Sequence, residues 1–305
     1  MICCVCLNAA VDITYHVDSL VPGTSHRVRE VRARAGGKSV NVARVLKQLG
    51  SSPIVTGFAG GRTGSAITEE LVSFGVPHRM ASTAAASRRT VTIVAESTTV
   101  LNERGGPVTR AEWTRLRDDF GQVCRDFECV VLSGSLPTGL PATAYARLTE
   151  IAHDHGVPVL LDAEGEPLHD ALQSRPELVK PNNVEVADLL GRPVESAADA
   201  AEAGRLLMQR GAGSAVISRG ADGLVAVWRD GALSARLAEP VSGNPTGAGD
   251  ALAAVLARHL NENSRPDTLR EAAAVSAAAV ARPVAGEFAA DLAERLRPLV
   301  QIEEL

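Results

Sequence analysis

Short apolar runs alternate with stretches of helical periodicity along most of the chain. The runs are apolar at nearly every position, as in strands that are buried on both faces of a sheet. They lie at residues 2–7, 130–132, 157–161 and 215–218. The helical stretches between them lie at residues 40–49, 142–155 and 200–209. This alternation predicts an α/β fold with a mainly parallel central sheet that is covered by helices on both faces.

Two segments depart from this pattern, because residues 13–35 and 88–101 alternate polar and apolar positions. Such alternation is typical of half-exposed antiparallel strands. We interpret them as a small β lid, with strands drawn from about residues 12–35 and 88–105, over the carboxyl edge of the main sheet, where such folds bind ligands. No repeat and no linker-like break interrupts the sequence, so we predict one domain over residues 1–305. The remaining apolar face of the lid would need covering, and a lid-mediated homodimer would cover it.

Composition restricts the class of protein. With 305 residues, of which 45% are apolar and 22% charged, the chain can bury a large core. Its apolar runs are too short to cross a bilayer, and its N-terminus lacks the pattern of a secretory signal. The five cysteines fit neither a disulfide framework nor a zinc pattern, so we interpret them as small buried residues in a reducing compartment. They are Cys3, Cys4, Cys6, Cys124 and Cys129. We therefore expect a soluble, cytoplasmic protein with no membrane partner.

Charge and residue types exclude further functions. A net charge of -5 and an aromatic content of 3% argue against nucleic-acid binding. The seven histidines form no recognisable metal or catalytic set, and no nucleophile-elbow serine motif occurs. One short stretch is strongly basic, and an edge strand that is protected by charge explains most of it, although one or two of its cations would suffice to bind an anionic substrate. These cations are Arg27, Arg29, Arg32, Arg34 and Lys38.

The most informative stretch is Asn244-Pro-Thr-Gly-Ala-Gly-Asp250, where a loop gives way to an apolar helical run. Gly247 and Gly249 allow close approach of the backbone to a ligand, and together with Ala248 they would present N–H groups of a helix N-terminus to an anion. Asp250 would lie beside this anion hole and accept a proton. The alternative is an ordinary glycine loop before a helix whose first-turn aspartate favours the helix dipole.

This stretch resembles the C-terminal signature of the ribokinase-like, or PfkB, family of carbohydrate kinases. Four other segments resemble family segments and occur in the family's order along nearly the whole chain. They are residues 35–50, which begin Ala-Gly-Gly-Lys-Ser-Val-Asn, then Leu132-Ser-Gly-Ser-Leu-Pro137, Lys180-Pro-Asn-Asn-Val-Glu185 and Ser218-Arg-Gly-Ala-Asp-Gly223. The resemblance implies a ribokinase-like three-layer sandwich with a β lid, and phosphoryl transfer from ATP with the help of Mg²⁺.

The resemblance also assigns roles to single residues, with Asp250 as the base. The residues implied to bind the acceptor are Asp12, Arg27, Gly37, Lys38, Asn41, Arg88 and Ser135. The residues implied to bind the nucleotide are Lys180, Asn182, Glu185, Ser218, Gly220, Gly223, Gly247 and Gly249, with Glu185 acting on Mg²⁺ through water. The adenine is implied to lie near residues 275–284.

Simpler interpretations exist for several of these residues. Asn182 and Glu185 also have the spacing of a helix capping box, and Gly220 and Gly223 that of a β-turn. The glycine pair before Lys38 also suits a turn ahead of an amphipathic helix. A Walker phosphate loop is excluded there, because the position of its first glycine is occupied by Arg32.

Within the family, the chain looks most like the hexose-phosphate branch, which includes 1-phosphofructokinase and tagatose-6-phosphate kinase. The branch implies a ketohexose monophosphate as acceptor: fructose 1-phosphate, tagatose 6-phosphate or fructose 6-phosphate. Ser39 stands where glycine is usual, and Thr90 and Thr92 stand where 1-phosphofructokinases tend to have Asn and Lys. Two alternatives therefore stay open: a kinase of an unphosphorylated sugar or nucleoside, and a non-catalytic sugar-phosphate sensor.

Overall fold

The computed structural model describes residues 1–261 and 265–305, and its strands and helices are numbered here in chain order. The strands are β1 Ile2–Cys6, β2 Ala10–His16, β3 Glu30–Gly36, β4 Pro53–Gly60, β5 His78–Thr83, β6 Arg88–Val94, β7 Thr98–Asn102, β8 Cys129–Ser133, β9 Val159–Asp162, β10 Leu178–Val179, β11 Ser214–Ser218, β12 Leu224–Trp228, β13 Gly231–Leu237 and β14 Val300–Glu304. The α-helices are α1 Lys38–Gln48, α2 Gly61–Ser73, α3 Arg110–Val123, α4 Ala144–Asp154, α5 Gly165–Leu172, α6 Asn183–Leu190, α7 Ala197–Gln209, α8 Ala248–Arg258, α9 Arg265–Val280 and α10 Ala290–Leu296.

The main sheet has the strand order β14-β13-β12-β11-β10-β9-β8-β1-β4-β5. All neighbouring strands from β11 to β5 are parallel, whereas β12, β13 and β14 continue the sheet in antiparallel pairing. Parallel neighbours need long crossovers, which the helices between them supply. The predicted α/β fold with a mainly parallel sheet is confirmed.

The core lies on both faces of this sheet, and β1 shows why. Cys4 and Cys6 pack into the hydrophobic cluster on the face of α1 and α8, while Cys3 and Val5 pack into the cluster on the opposite face. Successive side chains of a strand point to opposite faces, so a strand covered on both sides must be apolar throughout. All five cysteines are buried and free, as predicted for small core residues.

A second sheet of four strands has the order β3-β2-β6-β7 and forms from the two segments of alternating pattern. The pairs β2–β3 and β6–β7 are antiparallel, but the central pair β2–β6 is parallel, so the expectation of antiparallel pairing throughout is wrong for that pair. The reason is connectivity, because β2 and β6 are separated by β3, α1, β4, α2 and β5 and are not joined by a hairpin.

Within the described ranges, no helix is both long and apolar enough to cross a membrane.

Candidate active site

A cavity of 960 Å³ lies between the small sheet and the ends of the main-sheet strands. One wall comes from the small sheet, with Asp12 and Thr90, and another from the strand ends, with Asp162 and Ser218. The carboxyl edge of a parallel sheet is the expected place for a ligand site. Most residues that the sequence singles out line this cavity: Asp12, Gly37, Lys38, Asn41, Arg88, Lys180, Asn182, Glu185, Ser218, Gly220, Gly223, Gly247, Ala248, Gly249 and Asp250.

Asp250 lies in the first turn of α8 and is only 7% exposed. The Asn41 side chain donates a hydrogen bond from Nδ2 to Oδ2 of Asp250, at 2.8 Å. Burial and the nearby negative charge of Asp162 raise the pKa of Asp250 to about 6, although Lys38 and Asn41 oppose the shift. Asp250 is therefore mostly ionised at neutral pH, yet it is a stronger base than an exposed aspartate.

The N-terminus of α8 is shaped for an anion. Gly247 has a φ of 89°, and a Cβ there would lie 2.7 Å from the Cβ of Ala285, so only glycine fits this close approach. A Cβ on Gly249 would meet only Nζ of Lys180, at 3.6 Å. The Ala248 N–H donates to the Pro245 carbonyl at 3.2 Å, whereas the N–H groups of Gly247 and Gly249 find no acceptor among the described residues. Two of the three predicted donors are thus available to a ligand.

Asp162 is the centre of a buried charge cluster that sequence analysis missed. It is 1% exposed and lies 3.3 Å from Nζ of Lys180 and 3.4 Å from Nζ of Lys38, while Ser133 donates a hydrogen bond to it at 3.1 Å. Burial raises the pKa of Asp162, but the two lysines outweigh that effect and lower it. Burial likewise disfavours the charged form of Lys38, yet Asp162 and Glu185 raise its pKa overall. Lys38 therefore stays charged beside the cavity.

One signal for Asp162 was present in the sequence. It is the last residue of the buried strand β9, and a charged side chain at the carboxyl end of an apolar parallel strand lies where ligands bind. Because that signal comes from a single residue outside every motif, sequence analysis did not single out Asp162.

Asn182 and Glu185 form a capping box at the start of α6. Asn182 Oδ1 accepts the Glu185 N–H at 2.8 Å, and Glu185 Oε2 accepts the Asn182 N–H at 2.8 Å. The other oxygen, Oε1, lies 3.6 Å from Nζ of Lys38. Capping therefore uses one carboxylate oxygen and leaves the second facing a cation of the cavity.

Ser39 does not face the cavity. Its side chain is fully buried, and its hydroxyl lies 2.6 Å from the Val5 carbonyl and 3.0 Å from the Ser133 carbonyl, at the ends of β1 and β8. The hydroxyl where glycine is usual thus attaches α1 to the main sheet. Ser39 therefore lines neither cavity.

Asp12 and Arg88 lie on the face of the small sheet that looks into the cavity. Burial raises the pKa of Asp12, and Arg88 and Thr90 partly offset that shift. Arg88 donates from Nε to the Asn8 carbonyl at 3.1 Å and from Nη1 to Thr90 Oγ1 at 2.9 Å. A Cβ on Gly36 would collide with the Asp12 carboxylate, so this glycine allows the contact between β3 and β2.

Two predicted acceptor residues lie elsewhere. Ser135 lines a second cavity, of 700 Å³, which shares Lys38 and Arg88 with the first. Arg27 is exposed on the loop of residues 17–29 and lines neither cavity, because β3 begins only at Glu30. Within one chain, the structure does not bring Arg27 together with Arg88, and a role for Arg27 in binding substrate stays a prediction.

A family model described as "pfkB family carbohydrate kinase" matches residues 2–291. A Staphylococcus aureus structure, provisionally assigned as a phosphofructokinase, is 27% identical over 100% of this chain and 99% of its own, with a TM-score of 0.84. Phosphofructokinase-2 from Escherichia coli, in complex with fructose-6-phosphate, is 24% identical with a TM-score of 0.87 and 98% of each chain covered. Arabidopsis thaliana ribokinase, complexed with ribose and ATP, is 21% identical with a TM-score of 0.80, covering 97% and 98%.

Proposed function

The chain belongs to the pfkB family of carbohydrate kinases, as the five ordered motifs predicted, and we propose that its acceptor is a ketohexose monophosphate. The acceptors proposed are fructose 1-phosphate, tagatose 6-phosphate and fructose 6-phosphate. Kinases of this family take the phosphoryl group from ATP. The observation that carries the proposal is Asp250, a buried carboxylate with a raised pKa, held beside two N–H groups at the start of α8.

Asp250 would act as the general base. Asn41 holds one carboxylate oxygen, which leaves Oδ1 to accept the proton of the attacking hydroxyl. Catalysis is favoured when the pKa of the base approaches the working pH, and a pKa of about 6 lies nearer to neutrality than that of an ordinary aspartate. Proton transfer to Asp250 would also lessen its repulsion by Asp162.

The start of α8 would hold the negative charge of the moving group. Phosphoryl transfer requires mainly alignment and stabilisation of charge on the equatorial oxygens. The N–H groups of Gly247 and Gly249 have no acceptor among the described residues, and Nζ of Lys180 lies 3.6 Å from the place that a Cβ on Gly249 would take. The predicted adenine site near residues 275–284 agrees with the small side chains of α9 that line the cavity, such as Ser276 and Ala277.

The residues present fit a Mg²⁺ that is held mainly by the nucleotide. Among the described residues, no group of three or more side chains is arranged to ligate a metal ion. Asp162 is buried between two lysines, and one oxygen of Glu185 caps α6. Oε1 of Glu185, which lies 3.6 Å from Nζ of Lys38, is the oxygen that would face the water shell of an ion. Mg²⁺ prefers to keep several waters, and it would neutralise charge on the nucleotide phosphates.

The test is a coupled assay of ADP release with the three ketohexose monophosphates, the corresponding free sugars and a nucleoside. We expect kcat/KM to be higher for at least one phosphorylated sugar than for every free sugar. A preference for an unphosphorylated acceptor would replace the proposal with the sugar or nucleoside kinase, which the position of Arg27 outside both cavities favours. If none of these acceptors leads to release of ADP, the result would support the sugar-phosphate sensor.

The outer face of the small sheet supports the proposed lid-mediated homodimer. Val31 and Leu101 are 59% and 55% exposed. Both side chains lie on the face opposite Asp12. In the strand pairing each lies one or three positions away from a residue that faces the cavity, and side chains an odd number of positions apart point to opposite faces of a sheet. Such exposed apolar side chains indicate an interaction surface. Light scattering of a Val31→Glu, Leu101→Glu double variant should give a monomer where the unchanged protein gives a dimer.

The cysteines support the proposed cytoplasmic location. All five are buried without a disulfide, and burial raises the pKa of the Cys6 thiol to about 11. Neutral buried thiols are poor nucleophiles and suit a reducing compartment.

A further inference from the structure

Arg44 is a buried cation that the proposed mechanism does not use. It lies in α1 and is 1% exposed. Its Nη2 donates to Oε1 of Glu70, whereas its Nε and Nη1 have no acceptor among the described residues. The centre of the Phe74 ring lies 4.3 Å from its guanidinium carbon. A buried ion pair with unsatisfied donors is a poor source of stability, so its place in the core requires another explanation.

Glu70 connects Arg44 to the small sheet. Glu70 lies in α2, and its Oε2 accepts the backbone N–H of Ala35 on β3 at 2.5 Å. The next residue, Gly36, lies against the carboxylate of Asp12. Burial raises the pKa of Asp12, and the charge of Arg44 is among those that oppose this rise. The pair of Arg44 and Glu70 therefore fixes the backbone that contacts Asp12.

Asn41 and Arg44 lie one turn apart on α1, and Gly286 packs against both. A Cβ on Gly286 would lie 2.9 Å from Cδ of Arg44 and 3.0 Å from Oδ1 of Asn41. Side chains three positions apart lie on one face of a helix, so one glycine can touch both. Asn41 is also the residue that donates to Asp250. Arg44 thus packs beside the group that directs the base.

The segment of residues 282–288 extends from Arg44 to the start of α8. A Cβ on Gly247 would lie 2.7 Å from Cβ of Ala285 and 3.3 Å from the backbone nitrogen of Gly286. Gly247 carries one of the two N–H groups that have no acceptor among the described residues. A displacement of this segment would therefore change the support of that N–H group.

A second ion pair connects the same segment to the small sheet. Arg34 on β3 lines the first cavity and donates from Nη2 to Oε1 of Glu287 at 2.6 Å. The other oxygen of Glu287 accepts from Arg282 at 3.0 Å. Burial alone would raise the pKa of Glu287, but the hydrogen bonds from the two arginines lower it overall. Nε of Arg34 also lies 3.8 Å from Oε1 of Glu70, so one network of charges joins β3, α1, α2 and the segment.

We infer that the buried pair of Arg44 and Glu70 positions the catalytic centre. The pair holds Asn41 in the orientation that directs Asp250, and it holds the segment of residues 282–288 against the start of α8. Arg44 is a positioning residue, because it touches neither the substrate nor the reacting atoms. The inference rests on the proposed function, in which Asp250 is the base.

The first test compares Arg44→Met, which removes the charge and nearly keeps the length, with Lys47→Met as the matched control. Lys47 lies one turn further along α1, is exposed and lines neither cavity. In the coupled assay we expect Arg44→Met to lower kcat by about 10–100-fold and to change the KM for ATP by less than about threefold. Lys47→Met should change neither. Equal kcat in the two variants would contradict the inference.

The pH profile distinguishes positioning from a general loss of structure. Burial raises the pKa of Asp250, and the hydrogen bond from Asn41 opposes that rise. Loss of this hydrogen bond should therefore raise the pKa further and move the acidic limb of kcat/KM to higher pH, by about 0.5–1 pH unit. We expect the same shift in Arg44→Met, in Asn41→Ala and in the variant that combines them. A profile that is lowered equally at every pH would contradict the inference.

A second variant keeps the test decisive if Arg44→Met does not fold. Removal of one member of a buried ion pair destabilises a protein, because the other charge stays behind. The double variant Arg44→Met, Glu70→Gln removes both charges and keeps an acceptor for the Ala35 N–H. It should unfold at nearly the temperature of the unchanged protein and still show the loss of kcat. Full kcat in this double variant would mean that the pair serves stability alone.

Amide hydrogen exchange tests the same contacts without turnover. In the double variant, the segment of residues 282–288 should exchange about 5–50-fold faster than in the unchanged protein, because its support on α1 is lost. Lys47→Met should leave this exchange unchanged. Equal exchange in all three proteins would overturn the inference.

The outcomes separate the inference from the proposed function. If Asp250→Asn is inactive but the Arg44 variants turn over like Lys47→Met, the inference is wrong and the function stands. If no ketohexose monophosphate is turned over but the segment exchanges faster in the double variant, the positioning is supported and the proposed acceptor is wrong. Near-normal turnover by Asp250→Asn would overturn both.

Discussion

The two cavities share Lys38 and Arg88 but are built in opposite ways. In the first, Asp162 ends a buried strand and Asp250 begins a buried helix, so both carboxylates are almost fully removed from water. In the second, Arg104 and Ser135 are exposed on loops. Burial changes the protonation of a group, whereas exposure leaves its charge unchanged and weakens each contact.

This difference indicates a division of labour. A base needs a tuned pKa and a fixed direction, which a desolvated position at the start of a helix supplies. Recognition of a phosphate needs only permanent donors at the right distance, and exposed loops can carry them. Loss of the base in the first cavity should therefore lower kcat, and loss of a donor in the second should raise the KM for the acceptor.

The largest effect is expected for Asp250→Asn, which keeps the shape of the side chain but cannot accept the proton. We expect kcat to fall by about 10²–10⁴ with the KM for the acceptor nearly unchanged. The substitution removes a buried carboxylate that Asp162 repels, so the melting temperature should equal or exceed that of the unchanged protein. Steady-state kinetics and thermal unfolding check both points, and near-normal turnover would show that another group is the base.

The next effect is expected for Arg88→Ala, at the boundary of the two cavities. Loss of one charge-assisted contact should raise the KM for a sugar phosphate by about 10–100-fold and reduce its dependence on added salt. The KM for ATP and any slow turnover of free hexose should change little. Arg89→Ala serves as the control, and Arg27→Ala should resemble it if Arg27 stays outside the site. Equal losses with phosphorylated and free sugars would mean that Arg88 serves the structure of the small sheet.

The sequence predicted the fold from its hydrophobic pattern, and the resemblance to family motifs indicated most of the residues that line the first cavity. Strands buried on both faces must be apolar throughout, so the runs around β1, β8, β9 and β11 could be recognised without their partners. The glycines of the last signature are required by local conformation, as the positive φ of Gly247 shows.

The remaining features depend on contacts between residues that are distant in the chain. Asn8 forms hydrogen bonds with Arg88, Arg104 and Ser135, which are 80, 96 and 127 positions away in the sequence. No local sequence pattern predicts these contacts. The expected strand around Arg27 differs from the structure for a related reason. The alternation of Arg27 with Arg29 suggested a strand, but β3 begins only at Glu30 and the arginine lies on a loop. Periodicity predicts the element more reliably than its ends.

A smaller effect concerns pH and sharpens the contrast between a buried base and exposed cations. Since the pKa of Asp250 is raised to about 6, kcat/KM should fall about tenfold per pH unit below that value and level off above it. The raised pKa means that the folded state binds this proton more tightly, so Asp250 itself adds stability as pH falls through 6. A pH profile with ATP saturating, run beside thermal unfolding, separates loss of the base from acid unfolding. A flat profile down to pH 5 would contradict the assigned pKa.

The smallest effect is expected from the acidic wall of the second cavity. Glu164 is exposed, lines that cavity, and raises the pKa of Lys38 by its charge. Glu164→Gln would remove a like charge from the neighbourhood of a bound phosphate, so the KM for a sugar phosphate should fall by about 1.5–5-fold, most clearly at low salt. Glu96→Gln makes the same change of charge on the exposed turn between β6 and β7, outside both cavities, and should have no effect. If both substitutions lower the KM equally, the net charge of the protein steers the substrate. If only Glu164→Gln lowers the KM, the phosphate lies in the second cavity. A KM that Glu164→Gln leaves unchanged would place the phosphate away from that wall.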